Sequence, residues 1–372
     1  MSEPEPRART SPRGGRSRRR EVSRVRRASV VGAGSFGTAL AVLLDRAGLR
    51  VTLHARSGEQ AELLAREREN KRYLPGVELP AQMAIEPALA GVNKADLVFL
   101  AVPSWALAEV IDSLAAGAVV SPRAAVVSAA KGLVPPDGLP PTMALQRALA
   151  TDRVASLGGP GHAQEMVHAG AALVAASTQQ ELAQLLAEVF TRAGVVCEVS
   201  NDPVGVELAG AAKNAAALAA GATESQGANA AGAAAGHIFA EVWRWAEPLG
   251  AHPETLIGLA GTGDLLATAL APESRNRRAG ELLAAGMPAR EIPGEIGQAV
   301  EALESVPLLA RALQHAQVTA PVTVALARLI AGELPLDEWV ALVRATVPPP
   351  ARWRSGRGRG FWRRTWERLR RR

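Results

Sequence analysis

The residue in this sequence best suited to proton chemistry is Lys213, in the stretch VGVELAGAAKNAAALAAG at residues 204–221. Small apolar residues fill this stretch, and their pattern predicts a helix. Positions three and four apart share a helix face, so one stripe joins an ammonium, an amide and a position without a side chain. The stripe consists of Gly210, Lys213, Asn214 and Ala217.

Two environments are open for Lys213. A lysine among alanines loses hydration, which lowers its pKa and suits it to give or take a proton, and Gly210 would let a ligand approach the helix backbone. The alternative is a solvent-facing lysine on an alanine-rich helix. Only four of the 42 basic residues are lysines, namely Lys71, Lys94, Lys131 and Lys213. This scarcity favours a chemical role for Lys131 and Lys213, although biased codon usage would produce the same composition.

A glycine turn at residues 32–37, GAGSFG, is the second candidate site. The flanking segments are a predicted strand at 25–31, a predicted helix at 35–47 and a second predicted strand at 49–55. In this setting Gly32 permits a tight turn, Gly34 lets a pyrophosphate approach the backbone, and Gly37 allows close packing of helix on strand. The helix N-terminus then presents free N–H groups to the phosphates. The pattern therefore predicts a dinucleotide-binding turn.

The end of the second predicted strand bears on the choice of cofactor. A site for NAD usually has an acidic residue here for the ribose hydroxyls, whereas an arginine suits a 2′-phosphate. This chain has Arg56 at that place, and the first acid, Glu59, falls in the next predicted helix. Arg56 therefore favours NADP(H), with NAD(H) as the alternative, unless the arginine is simply exposed.

The remaining strand signals complete an open sheet. Predicted strands lie at 95–102, 124–130, 154–157, 171–176 and 195–199. The first two end at Ser104 and Lys131, and open α/β sheets bind ligands at the carboxyl ends of their strands. From about residue 204 to 346 the pattern is helical. We therefore expect an α/β fold, with an N-terminal Rossmann-type, mostly parallel sheet bearing helices on both faces, followed by an all-helical C-terminal domain.

Composition divides the chain into a globular body and two basic ends. Of the net charge of +6, residues 1–27 carry +7 and residues 351–372 carry +9, which leaves −10 for the body. The expected division is a disordered basic tail at 1–27, a dinucleotide-binding domain at 28–200, a helical substrate domain at 201–347 and an Arg/Trp-rich tail at 348–372. The single cysteine fits a reducing compartment, and six scattered histidines argue against a metal site.

Two further clusters occupy the helical half. GLAGTGD at 258–264 is a glycine turn that ends in a carboxylate, and SRNRR at 274–278 places several donors close together. A guanidinium beside an amide is suited to hold a phosphate or a carboxylate through two hydrogen bonds. A solvated basic turn is the alternative interpretation of SRNRR taken alone.

In combination, the motifs of this chain resemble the bacterial-type glycerol-3-phosphate dehydrogenases [NAD(P)+]. The matching segments follow the family order over residues 28–345: GAGSFGTALA (32–41), YLPGVELP (73–80), VPS (102–104), AKGL (130–133), GGPGHAQE (158–165), GVELAGAAKN (205–214), LAGTGDL (259–265), SRNRR (274–278) and GQAVEA (297–302). The resemblance implies reversible NAD(P)-dependent reduction of dihydroxyacetone phosphate to sn-glycerol 3-phosphate, which supplies glycerophospholipid synthesis. We also expect a cytoplasmic homodimer.

The resemblance implies a role for individual positions. Lys213 matches the catalytic lysine, which accepts the proton when glycerol 3-phosphate is oxidised. Positions that match substrate contacts are Lys131, Gly159, Lys213, Asp264, Ser274, Arg275 and Asn276. Positions that match cofactor contacts are Ser35, Phe36, Arg56, Lys131, Ala163, Arg275, Ala299 and Glu301. In the implied mechanism, Arg275 and Asn276 hold the substrate phosphate while Lys213 donates the proton and Lys131 adds positive potential.

The sequence departs from the family pattern at three places. Gly158 replaces the serine of a serine–glycine–proline turn, and Gly161 follows where the family has Ser or Thr against the substrate. The loss of that hydroxyl bears on substrate affinity, unless water replaces it. A helical arginine–glycine motif appears here as Gly236-His237-Ile238, and both basic tails lie outside the pattern.

Two other functions stay open at this point. A related two-domain reductase of a β-hydroxyacid, an imine or a ketopantoate-like acid would share the Rossmann half, but it would not require LAGTGD and SRNRR together. A catalytically weakened homologue acting through its tails is the other. Residues 351–372 mix arginine with tryptophan and phenylalanine, which suits an anionic membrane surface. Nucleic acid is not the expected partner, and a disordered solubilising tail is equally compatible with this composition.

Overall fold

Short aliphatic runs in the first half of the chain form an eight-stranded sheet, and a small hairpin stands beside it. The computed structural model describes residues 25–116, 120–271 and 274–347. The strands are β1 (Arg27–Val31), β2 (Arg50–Ala55), β3 (Glu69–Asn70), β4 (Leu74–Glu78), β5 (Ala84–Pro87), β6 (Leu97–Leu100), β7 (Ala125–Ser128), β8 (Val154–Gly158), β9 (Ala172–Ala176) and β10 (Val196–Ser200). All seven strands predicted for the sheet are confirmed, five with shorter bounds, β8 one residue longer and β10 shifted by one residue.

The strand order β10-β9-β8-β7-β6-β1-β2-β5 makes a doubly wound sheet that is parallel except between β8 and β9. Parallel pairing places the carboxyl ends of β1, β6 and β7 at one edge, and the segments that follow carry the glycine turn, Ser104 and Lys131. β8 and β9 run antiparallel, and the segment that connects them contains the short helix Ala163–His168. The predicted Rossmann-type, mostly parallel sheet is confirmed.

Helices cover both faces of the sheet, as predicted. They are α1 (Ser35–Arg46), α2 (Gly58–Glu67), α3 (Leu107–Ala116), α4 (Pro141–Leu149), α5 (Ala163–His168) and α6 (Gln180–Arg192). One apolar core lies between the sheet and α1, α2, α5 and α6, and a second core lies under α3 and α4. The alternating side chains of β1, β6 and β7 therefore pack into both cores, which is why these strands have almost continuous apolar sequences.

Three strands have no counterpart in the sequence prediction. β3 and β4 pair as an antiparallel hairpin, and β5 joins the edge of the sheet beside β2. β5 has no buried residue, and β3 is only two residues long. Strands this short or this exposed carry no alternation of apolar and polar residues that a sequence pattern could reveal.

The part of the chain described after β10 is helical. The helices are α7 (Pro203–Ala222), α8 (Ala228–Ala246), α9 (Pro253–Ile257), α10 (Asp264–Leu270), α11 (Arg275–Ala284), α12 (Ile292–Ile296), α13 (Glu301–His315), α14 (Pro321–Ile330) and α15 (Leu336–Ala345). The domain boundary predicted near residue 200 falls between β10 and α7, and it remains a prediction. Among the described residues, no helix combines the length and the apolarity needed to cross a membrane.

α7 is the central helix of this half and is buried on almost every side. It begins at Pro203, and the side chain of Asp202 caps it by accepting a hydrogen bond of 2.7 Å from Gly205 N. Its small residues let α11 approach closely, because a Cβ at Gly221 would collide with Arg277 O and one at Gly280 with Leu218 O. The tight pair of α7 and α11 brings the motif that begins at Ser274 towards Lys213.

Candidate active site

Lys213 lies inside the protein, so the solvent-facing alternative is wrong. It is only 7% exposed, and its Nζ donates a hydrogen bond of 3.0 Å to Thr268 Oγ1. The same Nζ lies 3.4 Å from Asp264 Oδ1 in an ion pair. α10 supplies both partners, four residues apart on one face. The helix predicted at 204–221 therefore aims its lysine at a carboxylate from a distant part of the chain.

Lys131 reaches the same carboxylate from the sheet side. It follows β7, and its Nζ lies 2.5 Å from Asp264 Oδ2 and donates to Gly159 O at 3.1 Å. The glycine on the α7 stripe, Gly210, makes this approach possible, because a Cβ there would lie 3.3 Å from Lys131 Cα. The close approach that the sequence assigned to a ligand is thus made by the backbone of Lys131.

The two ammonium groups and one carboxylate form a buried charged cluster of Lys131, Lys213 and Asp264. Burial lowers the pKa of Lys213 to about 8, although Asp264 opposes this shift. Repulsion from Lys131 contributes to this lowered value, as the sequence predicted. Burial works to raise the pKa of Asp264, but the two neighbouring ammonium groups outweigh it and hold the pKa below its usual value. Asp264 is therefore ionised at neutral pH, while Lys213 can gain or lose its proton at a pH close to neutral.

An amide relay ties this cluster to the motif at 274–278. Asn214 Nδ2 donates to Lys131 O at 2.8 Å, and Asn276 Nδ2 donates to Asn214 Oδ1 at 2.9 Å. Asn276 Oδ1 in turn accepts from Ala302 N at 3.1 Å. The relay joins α7, α11 and α13 and holds Asn276 in place, and its Nδ2 makes no other hydrogen bond to the residues that the structure describes.

The other two members of the predicted substrate trio lie at the start of α11. Ser274 is buried and caps this helix, accepting from Arg277 N at 3.4 Å. Arg275 is exposed, and its Nη1 donates to Ala299 O at 3.0 Å. Ala299, which the resemblance assigns to the cofactor, thus accepts a hydrogen bond from Arg275. The free N–H groups at this helix N-terminus favour an anion.

The glycine turn has the shape that a dinucleotide needs. Gly32 has φ +112°, a conformation that glycine adopts readily, and a Cβ there would lie 2.6 Å from Ala101 O. Gly37 packs directly on Gly32 O, leaving no room for a side chain. Gly34, by contrast, borders open space, because a Cβ added there would have no neighbouring atom within 4 Å. The turn is therefore tight on the sheet side and open where a pyrophosphate would bind.

The predicted cofactor residues lie around this turn and beyond it. Ser35 and Phe36 open α1, Ala163 opens α5, and Arg56 is exposed after β2. Glu301 opens α13 and reaches back to the sheet, where its Oε1 accepts from Ser104 N at 3.0 Å. Glu301 therefore connects the helical half with the segment that follows β6.

Gly161 lies against the same wall of the site. A Cβ there would lie 3.0 Å from Met166 Sδ, 3.1 Å from Leu173 Cδ2 and 3.3 Å from Phe36 Cε2. Apolar side chains thus fill the neighbourhood in which the family motif has a hydroxyl. Gly159, next to it, has φ +93° and leaves no room for a side chain beside Ala172 O.

Sequence reasoning missed Thr268 and the contact that Ser104 makes. Thr268 accepts the hydrogen bond from Lys213, and its spacing of four from Asp264 on a helix is the signal that could have revealed it. Ser104, whose backbone N–H binds Glu301, belongs to the VPS motif, which by itself indicates no role for this serine. A contact made by a backbone N–H carries no side-chain signal.

Comparison with known proteins agrees with both halves of this arrangement. Two family models match, the NAD-dependent glycerol-3-phosphate dehydrogenase N-terminus at residues 27–183 and the corresponding C-terminus at residues 202–341. A relative from Deinococcus radiodurans, named glycerol-3-phosphate dehydrogenase [NAD(P)+], is 41% identical over 310 residues, covering 82% of this chain and 90% of the relative.

Solved structures give the same result. The crystal structure of a glycerol-3-phosphate dehydrogenase from Coxiella burnetii superposes with a TM-score of 0.81 at 29% identity, covering 87% of this chain and 99% of that one. A ketopantoate reductase from Ralstonia eutropha superposes with a TM-score of 0.55 at 20% identity, covering 84% of this chain and 99% of that one, which shows a shared fold alone. The chain belongs to the NAD-dependent glycerol-3-phosphate dehydrogenase family.

Proposed function

We propose that this protein catalyses the reversible NAD(P)-dependent reduction of dihydroxyacetone phosphate to sn-glycerol 3-phosphate, supplying glycerophospholipid synthesis. The observation that carries the proposal is the buried cluster of Lys131, Lys213 and Asp264, found in a chain whose two halves both match this family. Reduction of a ketone needs a hydride and a proton. The cluster supplies the proton donor and the positive potential that stabilises the developing alkoxide.

Lys213 is the proposed general acid. An acid or base works best when its pKa is close to the operating pH, and the pKa of Lys213 is lowered to about 8 by burial. Its hydrogen bond to Thr268 fixes the direction of Nζ. In the reverse direction the neutral amine would accept the proton of the substrate hydroxyl.

Lys131 and Asp264 position this chemistry. Asp264 holds both ammonium groups, so their positive charges remain side by side in a buried site. Lys131 would stabilise negative charge on the substrate oxygen. Gly159, a proposed substrate contact, lies beside it and accepts a hydrogen bond from its Nζ. Neither residue needs to move a proton in this scheme.

The residues of the glycine turn fit a dinucleotide, because the open space at Gly34 faces the free N–H groups that begin α1. Gly32, Gly34, Ser35, Phe36 and Gly37 would hold it there. The remaining proposed cofactor contacts are Arg56, Lys131, Ala163, Arg275, Ala299 and Glu301. When bound, a reduced nicotinamide supplies the hydride.

The proposed phosphate site is the start of α11. Arg275 is exposed and bound only to a backbone carbonyl within the described residues, so its guanidinium can turn to a phosphate. Asn276 is held by Asn214 and presents its remaining N–H, and Ser274 completes the trio. The similarity to ketopantoate reductases is one of fold alone, whereas both halves of this chain match the glycerol-3-phosphate dehydrogenase models. A carboxylate substrate is therefore the less favoured alternative.

Three finer expectations accompany the proposal. The cofactor preference rests on Arg56, which is exposed beyond β2. This exposure leaves it accessible to a 2′-phosphate and equally fits the alternative of a surface arginine without a role. A homodimer and a cytoplasmic location stay predictions, and sedimentation of the purified chain would decide the first. The anionic membrane surface proposed for residues 351–372 concerns a tail that lies outside the described residues.

The deciding measurement follows the absorbance of the reduced nicotinamide with purified protein, dihydroxyacetone phosphate, and NADPH or NADH in parallel. We expect faster oxidation of NADPH, and no comparable oxidation with ketopantoate. Lys213→Ala should lower turnover by at least about 100-fold while NADPH still binds. Lys71→Ala, which changes a lysine with 66% of its side chain exposed, is the matched control and should stay near the wild-type rate.

The possible results separate the parts of this proposal. Comparable rates with both dinucleotides would retain the reaction and remove the preference assigned to Arg56. Turnover near the wild-type rate in Lys213→Ala would contradict the role of that lysine. Oxidation with ketopantoate but not with dihydroxyacetone phosphate would replace the proposed substrate.

A further inference from the structure

The side chain of Asn70 reaches the dinucleotide-binding turn from outside the glycine motif. Asn70 ends β3, is only 3% exposed, and lies 37 residues from Ala33, the middle of the Gly32–Gly34 turn. Its Nδ2 donates to Ala33 O at 3.0 Å and to Thr38 Oγ1 at 2.7 Å. Because a carbonyl oxygen only accepts, the amide nitrogen must be the atom that faces Ala33.

This contact determines the direction of the next N–H group. A trans peptide is planar, and its C=O and N–H point to opposite sides. When Asn70 holds the Ala33 carbonyl towards the hairpin, the N–H of Gly34 must point away from the hairpin. Among the hydrogen bonds of the described residues, Gly34 N donates to no acceptor, and the space beside Gly34 is open. That N–H is therefore available to a phosphate.

The second bond of Asn70 acts on the first turn of α1. Thr38 is fully buried, and its N–H donates to Gly34 O at 2.9 Å, the bond that starts this helix. By holding Ala33 O and Thr38 Oγ1 together, one amide group fixes both the turn and the helix that follows it. The buried amide nitrogen of Asn70 donates to both acceptors, and a buried donor paired in this way holds its neighbours in one arrangement.

Asn70 can hold the turn because the hairpin that carries it is itself fixed. The backbone of β3 pairs with β4, and Leu74 and Leu79 are fully buried in the core beneath α1. At the other end, Pro75 O accepts from Gln164 Nε2 of α5 at 2.8 Å. The hairpin thus spans from the glycine turn to the helix that begins at Ala163, a second proposed cofactor position.

We infer that Asn70 is a positioning residue for the dinucleotide, acting through the Ala33–Gly34 peptide. This inference rests on the dinucleotide binding of the proposed function. It extends that function to a residue of the β3–β4 hairpin, which was not among the expected site residues. Asn70 acts through the turn and does not need to touch the cofactor.

The test measures NADPH binding by the full-length protein without substrate, by calorimetry. Asn70→Asp keeps the shape of the side chain but turns a donor towards Ala33 O into an acceptor, so we expect about 10-fold weaker binding. Thr38→Val removes the other bond and keeps the Ala33 contact, so its loss should be smaller. Asn93→Asp makes the same change at an exposed asparagine and should bind as the wild type does.

Kinetics distinguish positioning from general damage. The KM for NADPH should rise in Asn70→Asp while the KM for dihydroxyacetone phosphate stays close to that of the wild type. Thermal unfolding is recorded for each variant, and Asn70→Ala replaces Asn70→Asp if the latter does not fold. A folded Asn70 variant that binds NADPH within about twofold of the wild type would overturn the inference.

The wild-type controls separate this inference from the proposed function. A wild type that binds NADPH but does not reduce dihydroxyacetone phosphate removes the proposed reaction, while the binding comparison still decides the role of Asn70. A wild type that binds neither NADPH nor NADH overturns both.

Discussion

At the scale of single residues, the proposed activity depends on Lys213, a buried lysine on α7 whose pKa lies close to neutral pH. Lys213 has lost most of its hydration, which lowers its pKa, and Asp264 restores part of the stability of the charged form. The balance leaves a pKa of about 8. An arginine at this place would stay charged at any physiological pH and could not exchange the proton.

The pH dependence of the two directions follows from this value. Reduction of dihydroxyacetone phosphate needs protonated Lys213, so kcat should fall as the pH rises through about 8. Oxidation of glycerol 3-phosphate needs the neutral amine, so its kcat should rise over the same range. Initial rates in both directions, measured at saturating substrates across this range, check the prediction. If kcat for reduction and kcat for oxidation changed in the same direction with pH, the prediction would be wrong.

Asp264 offers a second test at this scale. Without its negative charge, the two ammonium groups would repel each other unopposed, and the pKa of Lys213 would fall further. Asp264→Asn should therefore shift the pH limb of reduction to lower pH and reduce kcat/KM by about 10-fold or more. An unshifted limb would show that Asp264 does not control Lys213. Asp112→Asn, at an exposed position on α3, is the matched control.

At the scale of elements, the long helix α7 holds the site together through its contacts with both halves. One end contacts α4 through Glu207, whose carboxyl oxygens lie within hydrogen-bond distance of Thr142 N at 2.8 Å and Thr142 Oγ1 at 2.9 Å. The middle carries Lys213, the proposed catalytic lysine, and the far end packs on α11 through Gly221. Because Gly221 and Gly280 have no side chains, α7 and α11 pack backbone against backbone. This close packing fixes the relative positions of the residues that the two helices carry.

The contact between α4 and α7 should make stability depend on pH. Burial raises the pKa of Glu207 from 4.5 to about 8, against the opposing hydrogen bonds from Thr142. The folded protein then retains a proton that the unfolded chain has lost, so this contribution is complete below pH 4.5 and is lost as the pH rises to about 8.

Glu207→Gln cannot titrate and should reduce this decline in the free energy of unfolding by roughly 1–3 kcal/mol. Urea unfolding of the variant and the wild type at several pH values between these limits measures the difference. Glu188→Gln, at an exposed position on α6, serves as control and should follow the wild type. If the free energy of unfolding declined equally with pH in Glu207→Gln and in the wild type, a group other than Glu207 would be responsible.

At the scale of the whole molecule, charge is divided between an acidic body and two strongly basic ends. The body carries −10 between residues 28 and 350, whereas residues 351–372 alone carry +9. The composition of the C-terminal segment is compatible with a disordered solubilising tail and with contact with an external anionic surface. Its tryptophans would suit a membrane surface, which is where the proposed product would be consumed, and this contact remains a prediction.

Co-sedimentation with anionic vesicles tests the tail directly. We expect the full chain to sediment with vesicles at low salt and a chain lacking residues 351–372 to remain in solution, with binding reduced as the salt concentration rises. Neutral vesicles provide the control for apolar adsorption. Equal sedimentation of both chains would exclude the tail as the membrane-binding segment.

Local sequence determined the elements of this protein and the residues that could do chemistry. The glycine turn, the strands around it and the helix of Lys213 follow from steric limits on glycine and from apolar periodicity, which act over a few residues. Family motifs then assigned roles to Lys131, Asp264 and the trio that begins at Ser274. No comparable local signal marked β5 or the β3–β4 hairpin, because their strands are short or exposed.

Tertiary structure alone decided the environment of each group. A sequence pattern does not show that Lys213 is buried, that Thr268 binds it, or that Asp264 serves two lysines, since these contacts join residues 51 to 133 positions apart. It also does not show that Asn70 holds the peptide before Gly34. Electrostatics and hydrogen bonding depend on distances of a few ångströms and on exclusion of water. Only the packing of distant segments against each other sets those quantities.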